Sequence, residues 1–204
     1  MSMKLDDLYP LQKKDASRAG EVLVSAFERD PVWQMLFQDA TPAQRIAAFE
    51  APIRYCLKYG QVYAPSAALE GVAAWTPGKL AEMTLWRMLL SGAMGAGLRM
   101  GMTMSRKMMQ VFAPIEADRK AIMRGKDFIY LLVIGVAPQL QGQGHAGKLL
   151  RALFAESKRA QVPIYLETQT ESNVRLYEYF GFEVVKEMEL PLVALPMWEM
   201  VREA

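Results

Sequence analysis

Apolar residues recur at helical spacing in two early segments of the chain. The first segment starts at Asp15 and stops at Asp30-Pro31, because proline disfavours helix at the residue before it. The second starts at Thr41-Pro42, where a threonine cap, a proline at the first helical position and Gln44 form a helix-start signal, and it ends at Gly60. The pattern predicts two amphipathic helices.

Two short segments rich in Val, Tyr and Trp, 61–64 and 71–76, follow these helices and are typical of antiparallel strands of one sheet. The segment 80–124 is helical in character and holds eight of the 15 methionines between Met83 and Met109. We expect core or cap helices in which methionine fills irregular space; the alternative is an adaptable wall for an apolar substrate. Its longest charge-free run has 11 residues, whereas a membrane-spanning helix needs about 20.

The second half of the chain begins with a near-continuous apolar run, 128–136, which is typical of a strand buried on both faces. An amphipathic pattern over 146–160 and a further apolar run at 163–168 complete a strand–helix–strand unit. Such a unit crosses over right-handed, so its two strands should be parallel.

The last quarter of the chain predicts a short helix at 172–180, closed by Gly181, and a terminal antiparallel hairpin at 182–190 and 197–202. The sheet is therefore mixed. At roughly 150 residues per domain, 204 residues favour one α/β domain.

Composition excludes several classes of protein. With 24 Lys+Arg against 22 Asp+Glu and no basic stripe, we expect no nucleic-acid partner. Cys56 and His145 are the sole cysteine and histidine, which excludes a disulfide scaffold and a thiolate zinc site, and we expect no metal. The acidic N-terminus does not fit a secretory signal, so we expect a cytoplasmic protein, and the apolar segment 190–198 could cover a core or serve a homodimer.

A glycine-rich turn joins the strand 128–136 to the helix after it. Glycines let the backbone approach a ligand closely, and the first N–H groups of a helix converge on an anion. The P-loop pattern fails because Leu149 follows Gly147-Lys148 where a hydroxyl is required. The dinucleotide fingerprint matches Gly142, Gly144 and Gly147, but the unit lies late in the chain, so it stays a distant alternative.

A third match covers two blocks. Gln141-x-x-Gly144-x-Ala146, after a strand ending in Val-x-Pro, resembles the acetyl-CoA pyrophosphate loop of the GNAT superfamily of N-acetyltransferases. The segment from Asn173 through Leu176-Tyr177-Glu178 to Gly181-Phe182 resembles that family's Asn…Leu-Tyr-Glu-x-x-Gly-Phe block. Both lie within residues 128–190, and 80–124 would be an unusually long insertion.

The resemblance implies a fold and an activity. The fold is a GNAT-like α/β fold with a mixed, mainly antiparallel sheet whose two central parallel strands splay apart, flanked by helices. The activity is transfer of an acetyl group from acetyl-CoA to a primary amine of a small molecule or peptide, by direct attack in a ternary complex. The alternatives are transfer of a longer acyl chain and a CoA-binding sensor or interaction module without catalysis.

The resemblance also assigns roles to residues. Asn173 and the strand backbone of Ile134, Gly135 and Val136 would bond the pantetheine arm, and Tyr177 would protonate the departing thiolate, with Tyr179 as the second candidate acid. The pyrophosphate would be held by the loop N–H groups, which belong to Gln141, Gly142, Gln143, Gly144, His145, Ala146 and Gly147.

The general base and the acceptor pocket are less specific. Glu167 is the first candidate base and Asp30 the second, although a salt bridge explains either residue almost as well. Asp30, Trp33 and Trp75 are candidate substrate-binding residues, with Trp86 as a further aromatic; large aromatic side chains at such spacing are also common in cores.

Overall fold

A seven-stranded mixed sheet forms the centre of the computed structural model, which describes residues 5–204. The strands lie in the order β1-β2-β3-β4-β5-β7-β6; β4 and β5 are parallel and the other neighbours antiparallel. Their bounds are β1 Tyr9–Pro10, β2 Gln61–Ala64, β3 Gly71–Pro77, β4 Ile129–Val136, β5 Ile164–Thr168, β6 Glu183–Leu190 and β7 Leu195–Arg202.

Eight α-helices cover the two faces of the sheet in the part of the chain described. They are α1 Ala16–Ala26, α2 Pro31–Leu36, α3 Pro42–Tyr59, α4 Leu85–Ser91, α5 Ala93–Met100, α6 Met102–Ile122, α7 His145–Ala160 and α8 Glu171–Tyr179. Helices α1–α3, α5 and α6 share one core with one face, whereas α7 and α8 pack on the other. Among residues 5–204, no helix combines the length and apolarity that a membrane crossing requires.

The predicted elements are confirmed, with two additions. Helix α3 begins as expected: Thr41 Oγ1 accepts the Gln44 N–H, and the Gln44 side chain accepts the Thr41 N–H. Helix α1 ends at Ala26, before the predicted stop at Asp30-Pro31, and the Asp30 carboxylate caps α2, a helix the pattern did not predict. The two-residue strand β1 was also not predicted, since so short a segment shows no alternation of apolar and polar residues.

The segment 80–124 is helical, as predicted, and glycines divide it. Gly92 and Gly101 have φ values of 77° and 82°, a conformation that favours glycine, and they separate α4 from α5 and α5 from α6. Some of its methionines, such as Met100 and Met104, are buried, but Met102 and Met109 face solvent. The expectation that methionine fills core space therefore holds for only some methionines of the segment.

The parallel strands splay apart as the resemblance implied. β4 and β5 pair only at Ile129 with Ile164 and Tyr130 with Tyr165. On its other side β4 pairs with β3 along its length, with a bulge at Leu132, since Ala74 opposes Val133 and Trp75 opposes Leu131. A bulge bends a strand and increases its twist. Beyond Tyr130, the edge of β4 that faces β5 therefore has no strand partner among residues 5–204.

Candidate active site

The glycine-rich turn follows the end of β4 and is held against it by a side chain. Gln141 Nε2 donates to the Val136 carbonyl oxygen at 3.1 Å. Gly142 and Gly144 have φ values of 76° and 84°, and a Cβ added at either would meet no atom of the described residues within 4 Å. Glycine is thus required here by backbone conformation, and the space over the turn is open.

Helix α7 starts directly at this open space. Gly144 is its N-cap, and the N–H groups of the first turn, from His145 onward, have no acceptor within the helix. Lys148, whose Nζ donates to the Pro65 carbonyl oxygen at 2.9 Å, and the exposed Arg151 add positive charge nearby. Free N–H groups, a helix dipole and basic side chains are suited to a diphosphate.

The unpartnered edge of β4 leads from the splay to this turn. Ile134, Gly135 and Val136 pair with β3 on one side only. A Cβ on Gly135 would lie 2.9 Å from Ala26 Cβ and 3.2 Å from Phe27 Cε2, so glycine lets α1 pack closely here. The strand can therefore bond an extended ligand along the edge that faces β5.

Tyr177 on α8 lies in the core on the α7 face, with its ring edge-on to Phe182 at a centroid distance of 5.5 Å. Burial raises the pKa of its hydroxyl, so the group is protonated at neutral pH. No described residue hydrogen-bonds that hydroxyl. Asn173 lies one turn earlier on α8, where its backbone N–H donates to Thr170 Oγ1 at 3.3 Å, and Tyr179 is 84% exposed.

Glu167 lies on the opposite face of the sheet. Its carboxylate is 3.2 Å from Arg119 Nη1, and both side chains are less than a tenth exposed. The Arg119 guanidinium also lies over the Tyr130 ring, 4.2 Å from its centroid. Burial raises the pKa of Glu167 to about 7, against the opposing effect of Arg119. A carboxyl with such a pKa changes protonation at physiological pH.

A cavity of about 380 Å3 opens between α1, α2 and the start of α3. Trp33 and Phe27 line it, as do Glu21, Glu28 and Arg45. Trp33 belongs to an aromatic cluster, with ring centroids 4.3 Å from Phe49 and 5.9 Å from Phe112 of α6. Phe27, which lines the cavity, also packs against β4, where a Cβ added to Gly135 would lie 3.2 Å from its ring.

The structure brings Trp33 to this cavity but not the other tryptophans. Trp75 lies in the core on the α7 face, where Nε1 donates to Glu156 Oε2 at 3.0 Å and the ring stacks on Tyr63. Side chains alternate along β3, and the register sends Trp75 away from α1 and α2. Trp86 is 67% exposed on α4.

Asp30 does not itself line the cavity, but it binds the backbone of Trp33, which does. Its Oδ1 accepts the N–H groups of Val32 and Trp33, at 3.0 and 3.1 Å, so the carboxylate acts as the cap of α2. Burial raises its pKa, and the two N–H groups oppose that effect. Its observed role is to position Trp33.

Several site residues were not anticipated. Arg119 and Phe112 lie seven residues apart on α6, about 10 Å along the helix, and contact Glu167 and Trp33 respectively. In the sequence, Glu21 of α1 and Glu28 in the turn after α1 resemble ordinary exposed charges. No local pattern marks these residues, because their neighbours come from distant parts of the chain.

Comparison with known proteins gives consistent results. Residues 112–184 match the family described as "Acetyltransferase (GNAT) domain". An uncharacterised N-acetyltransferase of Schizosaccharomyces pombe is 29% identical over 182 residues, with 84% of this chain and 72% of that protein covered. A Corynebacterium glutamicum structure titled histone acetyltransferase HPA2 and related acetyltransferase superposes with a TM-score of 0.66, at 20% identity, over 100% and 98% of the two chains.

A Drosophila melanogaster polyamine N-acetyltransferase that forms N-acetylagmatine shares the fold. Its TM-score is 0.64 at 12% identity, over 97% and 99% of the two chains. The family match spans the splayed strands, the glycine-rich turn and α8, where the candidate site lies. Residues 112–184 therefore match the GNAT acetyltransferase family, and the chain as a whole has the fold of GNAT acetyltransferases.

Proposed function

We propose that this chain transfers the acetyl group of acetyl-CoA to a primary amine of a small molecule or peptide, by direct attack of the amine in a ternary complex. The observation that carries the proposal is the edge of β4 left open beyond the Tyr130–Tyr165 pair, which leads directly to the free N–H groups at the start of α7. The two features together suit a pantetheine arm and its diphosphate.

The roles of the cofactor-binding residues follow from this placement. The backbone of Ile134, Gly135 and Val136 bonds the pantetheine arm, and the side chain of Asn173 contacts it from α8. The diphosphate lies over the turn 141–147, where Gly142 and Gly144 leave the space open. A backbone N–H of β4 near Ile134 polarises the thioester carbonyl.

The acceptor amine enters the cavity beside β4. Glu21 and Glu28 line it together with the rings of Phe27 and Trp33, and carboxylates and aromatic faces both attract an ammonium group. The Drosophila relative, whose product is N-acetylagmatine, acts on an acceptor of this cationic class. A small cationic amine is therefore the first acceptor class to test.

Two residues handle protons during the transfer. The amine nitrogen bonds to the acetyl carbon while the carbon–sulfur bond of the thioester breaks. The ammonium proton passes to Glu167 through water. Water is needed because Glu167 is paired with Arg119, which lies about two turns along α6 from Phe112 in the aromatic cluster. Tyr177, kept protonated by burial, donates its proton to the leaving thiolate.

One observation favours the alternative of a CoA-binding module without catalysis. The Glu167 carboxylate is already paired with Arg119, which makes it a weaker base than a carboxylate buried alone. Binding and turnover therefore have to be measured separately on the same sample.

The test is calorimetric titration with acetyl-CoA, free CoA and NADH, followed by thiol release with a panel of polyamines, peptides and amino acids. Gly144→Glu should abolish CoA binding in a folded protein, because it places a carboxylate where the phosphates lie. Gly125→Glu is the matched control, since Gly125 also has a positive φ, 74°, and open space around its Cβ.

Each result is informative. Binding with thiol release supports the transferase, and binding without release on any amine favours the module without catalysis. Unchanged CoA affinity in Gly144→Glu, equal losses in both glycine variants, or binding of NADH in place of CoA would each remove the loop assignment.

A further inference from the structure

The outer face of α4 is apolar throughout. Leu85, Trp86, Leu89 and Leu90 are 75%, 67%, 54% and 46% exposed. Positions i, i+1, i+4 and i+5 form one continuous arc of a helix, and no polar residue interrupts it. The inward side of the same helix holds Ser91, which is buried against the rest of the protein.

Two further large apolar residues, on the helices that follow, are also exposed. Leu98 of α5 is 75% exposed and Met102 at the start of α6 is 86% exposed. Single exposed apolar residues are ordinary on protein surfaces, but a contiguous set of large ones marks a surface that contacts a partner or a membrane. We call Leu85, Trp86, Leu89 and Leu90 the α4 face.

The segment of sequence that contains α4 carries a net positive charge. Residues 79–110 carry five basic side chains and one acidic one, a net charge of +4, whereas the rest of the chain carries a net charge of −2. Lys58 of α3 adds a further ammonium group, whose Nζ donates to the Leu90 carbonyl oxygen at 3.0 Å. The five basic residues are Lys79, Arg87, Arg99, Arg106 and Lys107, of which Arg99 and Lys107 are already paired with Glu50 and Asp39. Arg87, on α4 itself, and Lys58 form the basic rim of the α4 face.

This charge decides between two occupants of the α4 face. A second copy docked through the same face in a two-fold dimer would place like charges against each other. An anionic lipid surface has the complementary charge, and it also accommodates leucine and tryptophan side chains at the boundary between headgroups and acyl chains. The basic side chains would lie among the headgroups while the apolar arc inserts.

We propose that the α4 face docks this protein onto an anionic membrane surface, with Leu85, Trp86, Leu89 and Leu90 inserted and the basic rim at the headgroups. The proposal does not depend on the acetyl-transfer function. Helix α4 lies along the membrane surface and does not cross it.

The test is co-sedimentation of the full chain with vesicles of phosphatidylcholine alone and of phosphatidylcholine with phosphatidylglycerol. We expect binding to the anionic vesicles only, weakened by added salt. Leu89→Glu should lower the partition coefficient roughly tenfold or more, because it removes an inserted side chain and adds a negative charge. Leu192→Glu is the matched control, since Leu192 has the same exposure, 54%, on the β6–β7 turn.

A second readout uses tryptophan fluorescence. The wild-type spectrum should shift to the blue on adding anionic vesicles. Most of the shift should be lost in Trp86→Phe, since Trp33 and Trp75 are buried and Trp198, which is partly buried, lies on β7 and not on α4. Circular dichroism confirms that each variant is folded.

Three outcomes would overturn the proposal. The first is a wild-type protein that does not sediment with anionic vesicles. The second is an equal loss of binding in Leu192→Glu and Leu89→Glu. The third is a dimer in solution, seen by light scattering without lipid, that Leu89→Glu converts to a monomer, because a second copy would then cover the α4 face.

Discussion

At the residue scale, the chemistry proposed for this site depends on two side chains on opposite faces of the sheet. Tyr177 is buried on the α7 face with its hydroxyl protonated, and Glu167 is buried on the α6 face beside Arg119. The gap between β4 and β5 is where groups on the two faces can approach one reacting thioester. An acid on one face and a base on the other fits a transfer that takes place within that gap.

Tyr177→Phe should keep acetyl-CoA affinity and lower kcat roughly a hundredfold, because the departing thiolate loses its proton donor. Calorimetry and thiol-release kinetics on one preparation measure both quantities. Tyr179→Phe is the contrasting variant, since that ring is 84% exposed. If Tyr177→Phe turns over at the wild-type rate, Tyr177 has no part in proton transfer.

The rate should also depend on Glu167 through pH. A base with a pKa of about 7 makes kcat/KM rise through neutral pH, and Glu167→Gln should abolish that limb. Arg119→Ala should move the limb to higher pH, since the guanidinium holds the pKa down, and Arg119→Lys should largely restore it. A limb at the same pH in Arg119→Ala and the wild type would show that Glu167 is not the titrating base.

At the element scale, the helices of 80–124 shape the site from a distance. Helix α6 supplies both Phe112, against Trp33, and Arg119, against Glu167. Helix α5 is tied to α3 by Arg99, whose guanidinium pairs with the buried carboxylate of Glu50, which Arg54 also contacts at 2.6 Å. The segment is therefore part of the structure around the cavity and not a peripheral addition.

Glu50→Gln should lower the free energy of unfolding by about 2 kcal/mol at pH 7, because two guanidinium groups lose a charged partner. Burial alone would raise the pKa of Glu50, but Arg99 and Arg54 together hold it below its usual value. The carboxylate therefore stabilises the fold above its unfolded pKa, near 4.5, and this contribution disappears as pH falls through the folded pKa.

Urea unfolding of the wild type and Glu50→Gln at several pH values measures this effect. The difference between them should shrink as the pH falls below 4.5. Glu171→Gln removes an exposed i,i+4 pair with Arg175 and should change stability by less than about 0.5 kcal/mol. Equal effects of the two variants would show that the Glu50 pair contributes no more than an exposed one.

At the scale of the whole molecule, burial of Glu167 couples folding to pH. Its pKa rises from 4.5 in the unfolded chain to about 7 in the fold, so the folded state binds this proton more tightly. Its contribution to stability is complete below pH 4.5, declines as pH rises to about 7 and is constant above that. Over this pH interval the contribution of Glu167 to the free energy of unfolding changes by at most about 3 kcal/mol.

The measurement is the free energy of unfolding of the wild type and Glu167→Gln from pH 4.5 to pH 8. The stability of the wild type relative to the variant should fall across this interval and then level off. Parallel curves for the two proteins would contradict a raised pKa at Glu167.

Local sequence determined most of the fold, because its signals are local. The Thr41–Gln44 capping box, the apolar run of β4 and the helical period of α7 each depend on neighbours a few residues away, and all three were predicted at nearly the observed bounds. The glycine-rich turn and the block around Tyr177 also pointed to the family that residues 112–184 match. These features need no knowledge of which elements pack together.

Only the tertiary structure decided how distant residues combine. The partner of Glu167 is Arg119, 48 positions away, and the register of β3 places Trp75 on the α7 face, away from the cavity beside Trp33. The α4 face is equally a tertiary result, since its leucines would be core residues if another helix covered them. Period and composition specify which side of an element is apolar, but long-range packing determines what that side meets.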